Sequence, residues 1–223
     1  MKLSMLHNWN LSPQEAIALQ RQLAAQVIAD RPLDLNAIRL VAGVDVSVKD
    51  NHSQAAVVVL RYPELDVIET VRADQPTPFP YIPGLLSFRE GPVLVKAFEQ
   101  LVNMPDVFIF DGMGIMHPRR LGIASQMGLW LQRPTIGCGK TYFIGEFAEP
   151  GVEQGAFSPL THQGDVIGAV LRTRAQVKPV FISPGHLCDL NSAITLTLRC
   201  TTRYRLPEPI RQAHHAAGQF ESP

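Results

Sequence analysis

The sequence predicts an α/β protein built on one mixed sheet with helices on its faces, and three observations support this fold class. Three short runs rich in β-branched residues lie between residues 39 and 73 and are typical of an antiparallel meander. Helical and strand-like segments then alternate from residue 92 to residue 139, which favours parallel strands joined by helices. A length of 223 residues is compatible with a single domain, residues 1–223, that buries a large core.

The first predicted element is a helix near the N-terminus, within residues 1–30. Ser12 is a suitable N-cap, Pro13 suits the first helical position, and Glu15 completes a capping box. Apolar residues then recur at helical spacing, so one face of the helix should pack on the core.

The remaining elements are predicted from apolar runs between turn-forming residues. The meander occupies residues 39–48, 55–62 and 65–73. Four further strands are predicted over residues 106–112, 134–139, 166–174 and 179–185. Helices are predicted over residues 92–102, 121–132 and 190–200. The strand 106–112 lacks alternation and should be buried on both faces, whereas the basic C-terminal segment 203–223 is interrupted by proline and receives no regular structure.

Composition excludes several classes of protein. The formal charge is zero, with 20 basic and 20 acidic residues, so this is no strongly basic coat for nucleic acid. Residues 1–111 hold nine Lys/Arg against thirteen Asp/Glu, an asymmetry that suits a metal site beside a polyanion track or two solvated surfaces of opposite sign. Three cysteines without CxxC spacing indicate neither a disulfide framework nor a zinc knuckle. No signal peptide or membrane-spanning run is recognisable, so a cytoplasmic location is predicted.

Two aspartates are candidate metal ligands. Asp45 lies within the apolar run of the first strand, where an unpaired carboxylate is costly to bury. Asp111 ends the strand 106–112, at the sheet edge where α/β folds tend to hold ligands. If these two strands are neighbours, the carboxylates converge and suit Mg²⁺. Alternatively, Asp45 is an edge-exposed polar residue and Asp111 caps a turn.

The stretch PTPFPYIPGLLSFREGP, residues 76–92, places an aromatic and an acid close together. Its prolines stiffen the chain around Tyr81, which suits a wedge between stacked bases as well as a packed loop aromatic. Glu90 closes an S-x-x-E capping box with Ser87, or else precedes a helix that starts at Pro92 and points elsewhere. Both alternatives remain open from the sequence.

Other polar residues give weaker signals. The segment DGMGIMHPRRLG allows close backbone approach at its glycines and phosphate contacts from its basic residues. Lys140 follows a strand in GCGK, which lacks the Walker spacing, and is either a phosphate contact or a solvated lysine. His214 and His215 suit metal binding or proton transfer but are equally compatible with simple exposure.

Taken together, these motifs resemble the endonuclease V family, also called deoxyinosine 3′ endonuclease. The matching stretches are VAGVDVS, PYIPGLLSFREGP, DGMGIMHPRRLGIAS, PTIG with Lys140, FISPGH and RLPEPIRQAH. They follow one another from about residue 41 to residue 214, and PYIPG followed by SFRE is the most specific of them.

The resemblance implies an RNase H-like fold and Mg²⁺-dependent nicking of DNA, with Mn²⁺ as a substitute. The family recognises hypoxanthine and cuts the second phosphodiester bond on its 3′ side. The expected metal ligands are Asp45, Asp111 and Glu90, with His214 and Lys140 as further catalytic residues. The expected DNA contacts are Pro80, Tyr81, Ile82, Pro83, Gly84, Arg89, His117 and Arg119. The expected partner is single- or double-stranded DNA with deaminated bases, or inosine-containing RNA. The protein is expected to be a monomer and to have no membrane partner.

The chain departs from the family's pattern at two places. Gln126 stands where the family usually shows histidine, a change expected to alter a hydrogen bond or the metal affinity of the site. Cys138 and Gly139 replace the Val-Ala that normally precedes the lysine, a change expected to widen the base pocket. Gln126 leaves open lesion binding without turnover, and a nuclease for inosine-containing RNA or branched DNA is a separate alternative.

Overall fold

The computed structural model describes Leu3 and residues 5–219. The first residues of the predicted segment 1–30 and the last residues of the predicted segment 203–223 therefore lie outside the described residues. Eight strands form one mixed sheet: β1 (Leu40–Lys49), β2 (His52–Arg61), β3 (Val67–Pro76), β4 (Val107–Phe110), β5 (Thr135–Gly139), β6 (Phe157–His162), β7 (Asp165–Leu171) and β8 (Val180–His186). Five helices accompany it: α1 (Pro13–Ala24), α2 (Leu86–Glu99), α3 (Ile123–Leu131), α4 (Leu190–Arg199) and α5 (Glu208–Ala217).

The strand order is β3-β2-β1-β4-β5-β8-β7-β6. The first three strands form the predicted antiparallel meander, and β4 and β5 continue the sheet parallel to β1. Strand β8 then runs antiparallel to β5, and β7 and β6 follow as further antiparallel neighbours. The predicted fold class, an RNase H-like mixed sheet flanked by helices, is confirmed, and β1 and β4 are neighbours.

Each face of the sheet is covered by helices, which explains its apolar strands. Alternate residues of β2 belong to different cores: Val57 and Val59 pack with α2 and α3, whereas Val58 and Leu60 pack with α4 and α5. All four residues of β4 are buried, as its unbroken apolar run predicts.

The capping box of α1 forms as predicted. The Ser12 hydroxyl accepts from the Glu15 amide at 3.3 Å, and the Glu15 carboxylate accepts from the Ser12 amide at 2.8 Å. The helix ends at Ala24, whereas its apolar spacing continues to Val27. Hydrophobic spacing therefore sets the buried face but not the end of this helix.

Helix α5 and strand β6 were not predicted. The prolines around residue 208 read as helix breakers, yet Pro209 lies in the first turn, where its missing N–H costs nothing. The buried stripe of α5 is largely alanine, a weak apolar signal. Strand β6 has only six residues, Pro159 among them, and lies at the edge of the sheet, where proline is tolerated.

Helix α5 lies unusually close to β1. A β-carbon built on Gly43 would fall 1.8 Å from the carbonyl oxygen of Pro209 and 2.2 Å from its carbonyl carbon. Because both neighbours are backbone atoms, only glycine permits this approach. Gly43 lies two residues before Asp45 in β1, so this contact fixes the position of α5 close to Asp45.

No helix among the described residues combines the length and apolarity needed to cross a bilayer. The three cysteines are free and buried.

Candidate active site

Neighbouring parallel strands bring Asp45 and Asp111 together. Val44 of β1 pairs with Phe110 of β4, and each aspartate directly follows one of these residues. The Asp111 amide donates to the Val44 carbonyl at 2.9 Å, which extends the pairing to the aspartate itself. The two carboxylates therefore lie at the same edge of the sheet, with side chains only 11% and 13% exposed.

Two basic side chains complete this acidic cluster. His214, from α5, places Nδ1 2.7 Å from Oδ2 of Asp45, and Lys140, directly after β5, forms an ion pair with Asp111. Nζ of Lys140 also lies 3.2 Å from Nδ1 of His214. Because a carboxylate only accepts, the contact with Asp45 requires the proton on Nδ1 of His214.

The acidic cluster can hold a cation. Asp45, Asp111 and His214 each offer one ligand atom, and these three atoms lie within 4.8 Å of one another. Carboxylate oxygens are the donors that Mg²⁺ and related hard cations prefer, with one or two carboxylates sufficing beside water and phosphate oxygens. This donor set fits a divalent cation.

The raised pKa values of the neighbouring carboxyl groups also favour the binding of a cation. Burial raises the pKa of Asp45, the nearby Asp111 raises it further, and His214 and Lys140 lower it. Burial raises the pKa of Glu90, Asp45 and Asp111 raise it further, and Arg89 lowers it, which together give a pKa of about 8. Three carboxylates thus crowd one buried region with incomplete compensation, which an added positive charge would relieve.

Glu90 lies in the first turns of α2, and neither sequence alternative for it is correct. The helix begins at Leu86, and Pro92 lies inside it. Gly91 precedes that proline, and its lack of a β-carbon reduces the clash that usually excludes the helical conformation there. The Ser87 hydroxyl donates to Gln126 at 2.6 Å and makes no capping box. Among the described residues, the Glu90 carboxylate has no hydrogen bond or ion pair.

A cavity of about 390 Å³ adjoins the acidic cluster and shares Asp111 and Lys140 with it. This volume suits a small organic group such as a base. The lining comes mainly from the proline-rich loop, the loop after β4 and the segment after β5, with further residues from α1, α2, α3 and the end of β5. It consists of Gln20, Tyr81, Ile82, Pro83, Gly84, Leu86, Ser87, Asp111, Gly112, Met113, His117, Leu121, Gly122, Ile123, Gly139, Lys140, Thr141, Tyr142 and Phe143.

Tyr81 projects from the loop at the rim of this cavity, with 69% of its surface exposed. Pro80 and Pro83 are exposed beside it, and Ile82 packs inward against the α1 side. Arg89 donates to the Phe79 carbonyl at 2.7 Å and thereby anchors the loop. The predicted DNA contact of Arg89 stays a prediction, because its observed partner is the protein's own backbone.

Three side chains hold Gly84, which has a φ of +82°. The Gly84 carbonyl accepts from Arg119 at 2.7 Å, from Gln20 at 3.0 Å and from Nε2 of His117 at 3.0 Å. Arg119 also donates to Gln20 at 2.6 Å. His117 and Arg119, predicted to contact DNA, are thus turned towards the loop, and their phosphate contacts stay predictions. Gln20 was missed, although a polar residue between Ala16 and Leu23 of an apolar stripe was a usable signal.

His117 should make stability depend on pH. Its Nδ1 accepts from the Arg119 amide while its Nε2 donates to Gly84, so the folded protein holds it neutral. Burial and Arg119 lower its pKa to about 4. Because the unfolded chain takes up this proton near pH 6.5, stability should fall by about 2 kcal/mol from pH 7.5 to pH 5 through this residue.

The matched variant is His117→Gln, which keeps a donor to Gly84 without titrating. Urea unfolding of both proteins at several pH values between 4 and 8 measures the difference. The stability gap between wild type and variant should narrow as the pH falls. A gap that does not change with pH would contradict the neutral assignment.

Two aromatic residues of the cavity were not identified from the sequence. Tyr142 and Phe143 follow Lys140 and are 54% and 38% exposed. The Phe143 ring lies 5.9 Å from the ring of His117, and Tyr142 donates to the Gly145 carbonyl at 2.8 Å. His215, by contrast, is within hydrogen-bonding distance of Gln219 and does not belong to the acidic cluster.

Gln126 lies apart from the acidic cluster. It is fully buried, accepts from Ser87 and lies 2.9 Å from Nε2 of His7. His7 also accepts from Trp130 at 3.2 Å, and Trp9 stacks on Trp130 with centroids 5.3 Å apart. Gln126 therefore attaches the N-terminal segment to α2 and α3, and it makes no contact with Asp45, Asp111 or His214.

A mixed sheet that brings carboxylates, a lysine and a histidine together beside a base-sized cavity suits a nuclease. The family model for Endonuclease V matches residues 21–215. This chain belongs to the endonuclease V family.

Individual relatives agree over nearly the whole chain. The Endonuclease V of Dehalococcoides mccartyi is 50% identical over 222 residues, 99% of both chains, and that of Methanothrix thermoacetophila is 48% identical over 214 residues, 96% of this chain and 94% of the relative. The crystal structure of Endonuclease V from Bacillus subtilis has a TM-score of 0.93 and 33% identity, covering 97% of this chain and 95% of that one.

A further solved structure contains DNA. Endonuclease V from Ciona intestinalis, in complex with a 24mer DNA containing an inosine followed by a ribo-adenosine, has a TM-score of 0.80 and 26% identity. It covers 92% of this chain and 95% of that one.

Proposed function

We propose that this protein is a DNA-repair endonuclease that recognises deaminated bases, hypoxanthine above all. It hydrolyses the second phosphodiester bond 3′ to the lesion and leaves a 3′-hydroxyl and a 5′-phosphate. The observation that carries this proposal is the shared lining of the two sites, because Asp111 and Lys140 border both the base-sized cavity and the acidic cluster. A strand whose extruded base enters the cavity would bring its backbone to the acids.

Asp45 and Asp111 are the proposed direct ligands of Mg²⁺, with Mn²⁺ as a substitute. Glu90, which is not among the three residues whose ligand atoms lie within 4.8 Å of one another, is proposed to complete the site directly or through water. When bound, the ion supplies polarisation of the phosphate and stabilisation of the leaving oxygen. The protein's own groups do the rest. Lys140 carries its positive charge to the phosphate, and Arg205 fixes the Lys140 backbone through a 2.7 Å hydrogen bond to its carbonyl.

His214 is the proposed residue for positioning or deprotonating water. Its Nδ1 is held by Asp45, so the ring cannot rotate freely. Its side chain is 63% exposed, and Nε2 has no hydrogen-bond partner among the described residues. Water can therefore approach Nε2 from solvent, as general base catalysis requires.

Nicking of a defined duplex tests the proposal. The substrate is a labelled duplex with a single inosine, incubated with Mg²⁺, and the control is the same duplex with adenosine. We expect one nick, mapped on a sequencing gel to the second bond 3′ to inosine. A folded protein that binds the inosine duplex without nicking it would refute the proposal.

Tyr81→Ala should weaken discrimination of the lesion more than the chemistry. Tyr81 is exposed at the cavity rim and makes no contact with the acidic cluster, so its ring can fill the space that an extruded base vacates. Loss of one base-stacking aromatic costs about 1–3 kcal/mol, which is about fivefold to more than a hundredfold in affinity.

The measurement for Tyr81 is binding to inosine and adenosine duplexes, together with single-turnover nicking at saturating protein. Tyr81→Phe is the matched variant, because it keeps the ring. Equal loss of affinity for both duplexes would show that Tyr81 supports binding in general and is no wedge for the lesion.

Inosine-containing RNA is a second candidate substrate. The Ciona relatives were crystallised with DNA that has a ribo-adenosine after the inosine, so a ribose beside the lesion fits a relative's site. Side-by-side nicking of DNA, RNA and branched DNA at equal concentrations separates these activities. Lesion binding without turnover is a third candidate, although Gln126, the residue that suggested it, contacts Ser87 and His7 and not the acidic cluster. A Mg²⁺ titration of nicking separates it from the proposed activity. A monomer in the cytoplasm remains the prediction for assembly and location.

A further inference from the structure

Met113 and Gly139 fit each other at the wall of the cavity. Met113 lies in the loop after β4, Gly139 ends β5, and both line the cavity. A β-carbon built on Gly139 would fall 2.3 Å from Cε and 2.8 Å from Sδ of Met113. The end of the methionine side chain therefore occupies the space that an alanine methyl group would need at residue 139.

The backbone on either side of this contact leaves little freedom. The Met113 carbonyl accepts from the Ala124 amide at 3.0 Å. A β-carbon at Gly137 would lie 2.3 Å from the Gly114 amide nitrogen, and one at Gly114 would lie 1.9 Å from the Pro184 carbonyl oxygen. Because the loop is held between β5 and β8, a group added at Gly139 must displace the Met113 side chain and not its backbone.

A displaced Met113 side chain can move in only one direction, towards the cavity. Met113 packs on a buried cluster that includes Met116 and Phe181. A close-packed interior does not accept further atoms without strain, whereas the cavity on the other side has room for them. A methyl group at Gly139 therefore pushes the thioether into the space for the base.

We propose that Met113, seated over Gly139, sets the size of the base that the cavity accepts and contacts the face of the extruded purine. This role rests on the proposed function and deepens it. A thioether makes favourable contacts with aromatic rings and adapts its shape, which suits a wall against a flat heterocycle. Met113 and Gly139 match the size of the cavity to a purine such as hypoxanthine. Binding of a smaller pyrimidine such as uracil depends less on these two residues.

The test is a double-mutant cycle with Gly139→Ala, Met113→Ala and the double variant. Each protein is assayed for nicking of inosine and deoxyuridine duplexes with Mg²⁺, and for binding of both without divalent cation. We expect Gly139→Ala to lower the affinity and kcat/KM for inosine by about tenfold, the effect of about one methylene in a specificity pocket. Its effect on deoxyuridine should be smaller. In the Met113→Ala background the same change should have little effect, since the clash is gone.

A second readout reports the geometry without any substrate. The methyl resonance of ¹³C-labelled Met113, assigned by its loss in Met113→Ala, should shift in Gly139→Ala and shift again in wild type when inosine DNA is added. Additive effects of the two substitutions, or equal losses for inosine and deoxyuridine, would overturn the role of the pair. A wild-type protein that neither binds nor nicks inosine DNA would instead refute the proposed function, while the methyl shift in Gly139→Ala would still report the contact.

Discussion

Replacing Asp45 or Asp111 by asparagine is expected to lower nicking of inosine DNA by more than about a hundredfold, the upper range for residues that only support metal ligands. Each change removes one carboxylate of the group whose ligand atoms lie within 4.8 Å of one another. Affinity for DNA without divalent cation should be unchanged or higher, because a negative charge near the phosphate is lost.

The melting temperatures of these aspartate variants should respond to Mg²⁺ differently from that of the wild type. Burial and Asp111 raise the pKa of Asp45, so its charge is unfavourable in the protein without a cation. Asp45→Asn should therefore melt at a higher temperature than wild type without Mg²⁺ and gain less when Mg²⁺ is added, because a ligand stabilises only a fold that binds it.

Asp66→Asn is the control for the aspartate variants, because Asp66 is an exposed aspartate after β2, outside the cavity and the acidic cluster. It should nick, bind and melt like wild type. Wild-type nicking rates in either Asp45→Asn or Asp111→Asn would contradict the assignment of these residues as metal ligands.

Gly43→Ala should produce the largest loss of stability among the substitutions considered. Its methyl group would overlap the backbone of Pro209, which cannot rotate away as a side chain can. Overpacking of a core costs about 1–3 kcal/mol when side chains can adjust, so we expect at least about 3 kcal/mol here. Urea unfolding followed by circular dichroism measures it.

The same substitution should impair chemistry in the fraction that folds. Relief of the overlap requires α5 to move away from β1, and α5 carries His214, which contacts Asp45. A displacement of about 1 Å at a catalytic group can cost about a hundredfold in rate. Nicking by Gly43→Ala, measured at low temperature and corrected for the folded fraction, should show this loss.

Gly218→Ala is the matched control for stability, because it places the same methyl group at the end of the same helix. Its φ is −77°, and the nearest atom to the added carbon is the His214 carbonyl oxygen at 3.4 Å. Its stability should stay within about 1 kcal/mol of wild type. Similar losses in both variants would show that α5 is generally fragile and that the contact at Gly43 is not special.

The parts of the site that follow from strand pairing were accessible from the sequence. An unbroken apolar run identified β4 as a buried strand, and the position of Asp45 in β1 raised the need for a partner. Adjacency of the two strands then brought Asp111 to Asp45. Such inferences succeed because strand direction and the alternation of side chains leave few alternative arrangements.

Contacts between distant segments were not accessible in the same way. The helical start at Leu86 depends on the burial of Leu85 and Phe88 against α1, and Gly91 is needed to make room for Trp9. Likewise, a β-carbon at Gly139 would meet Met113, which lies 26 positions earlier in the printed sequence. Local propensity contains no information on these approaches, because each depends on how whole elements pack.

The hydrogen bond between Asp45 and His214 joins residues 169 positions apart in the chain. The sheet's first strands and β4 are complete long before α5 has been synthesised, so the two aspartates can converge while His214 is still missing. During translation Asp45 and Asp111 are therefore expected to converge before His214, the residue proposed to position water, has been added to the chain. A chain that ends before α5 contains every residue that lines the cavity but lacks His214, so it should be unable to cut a bound strand.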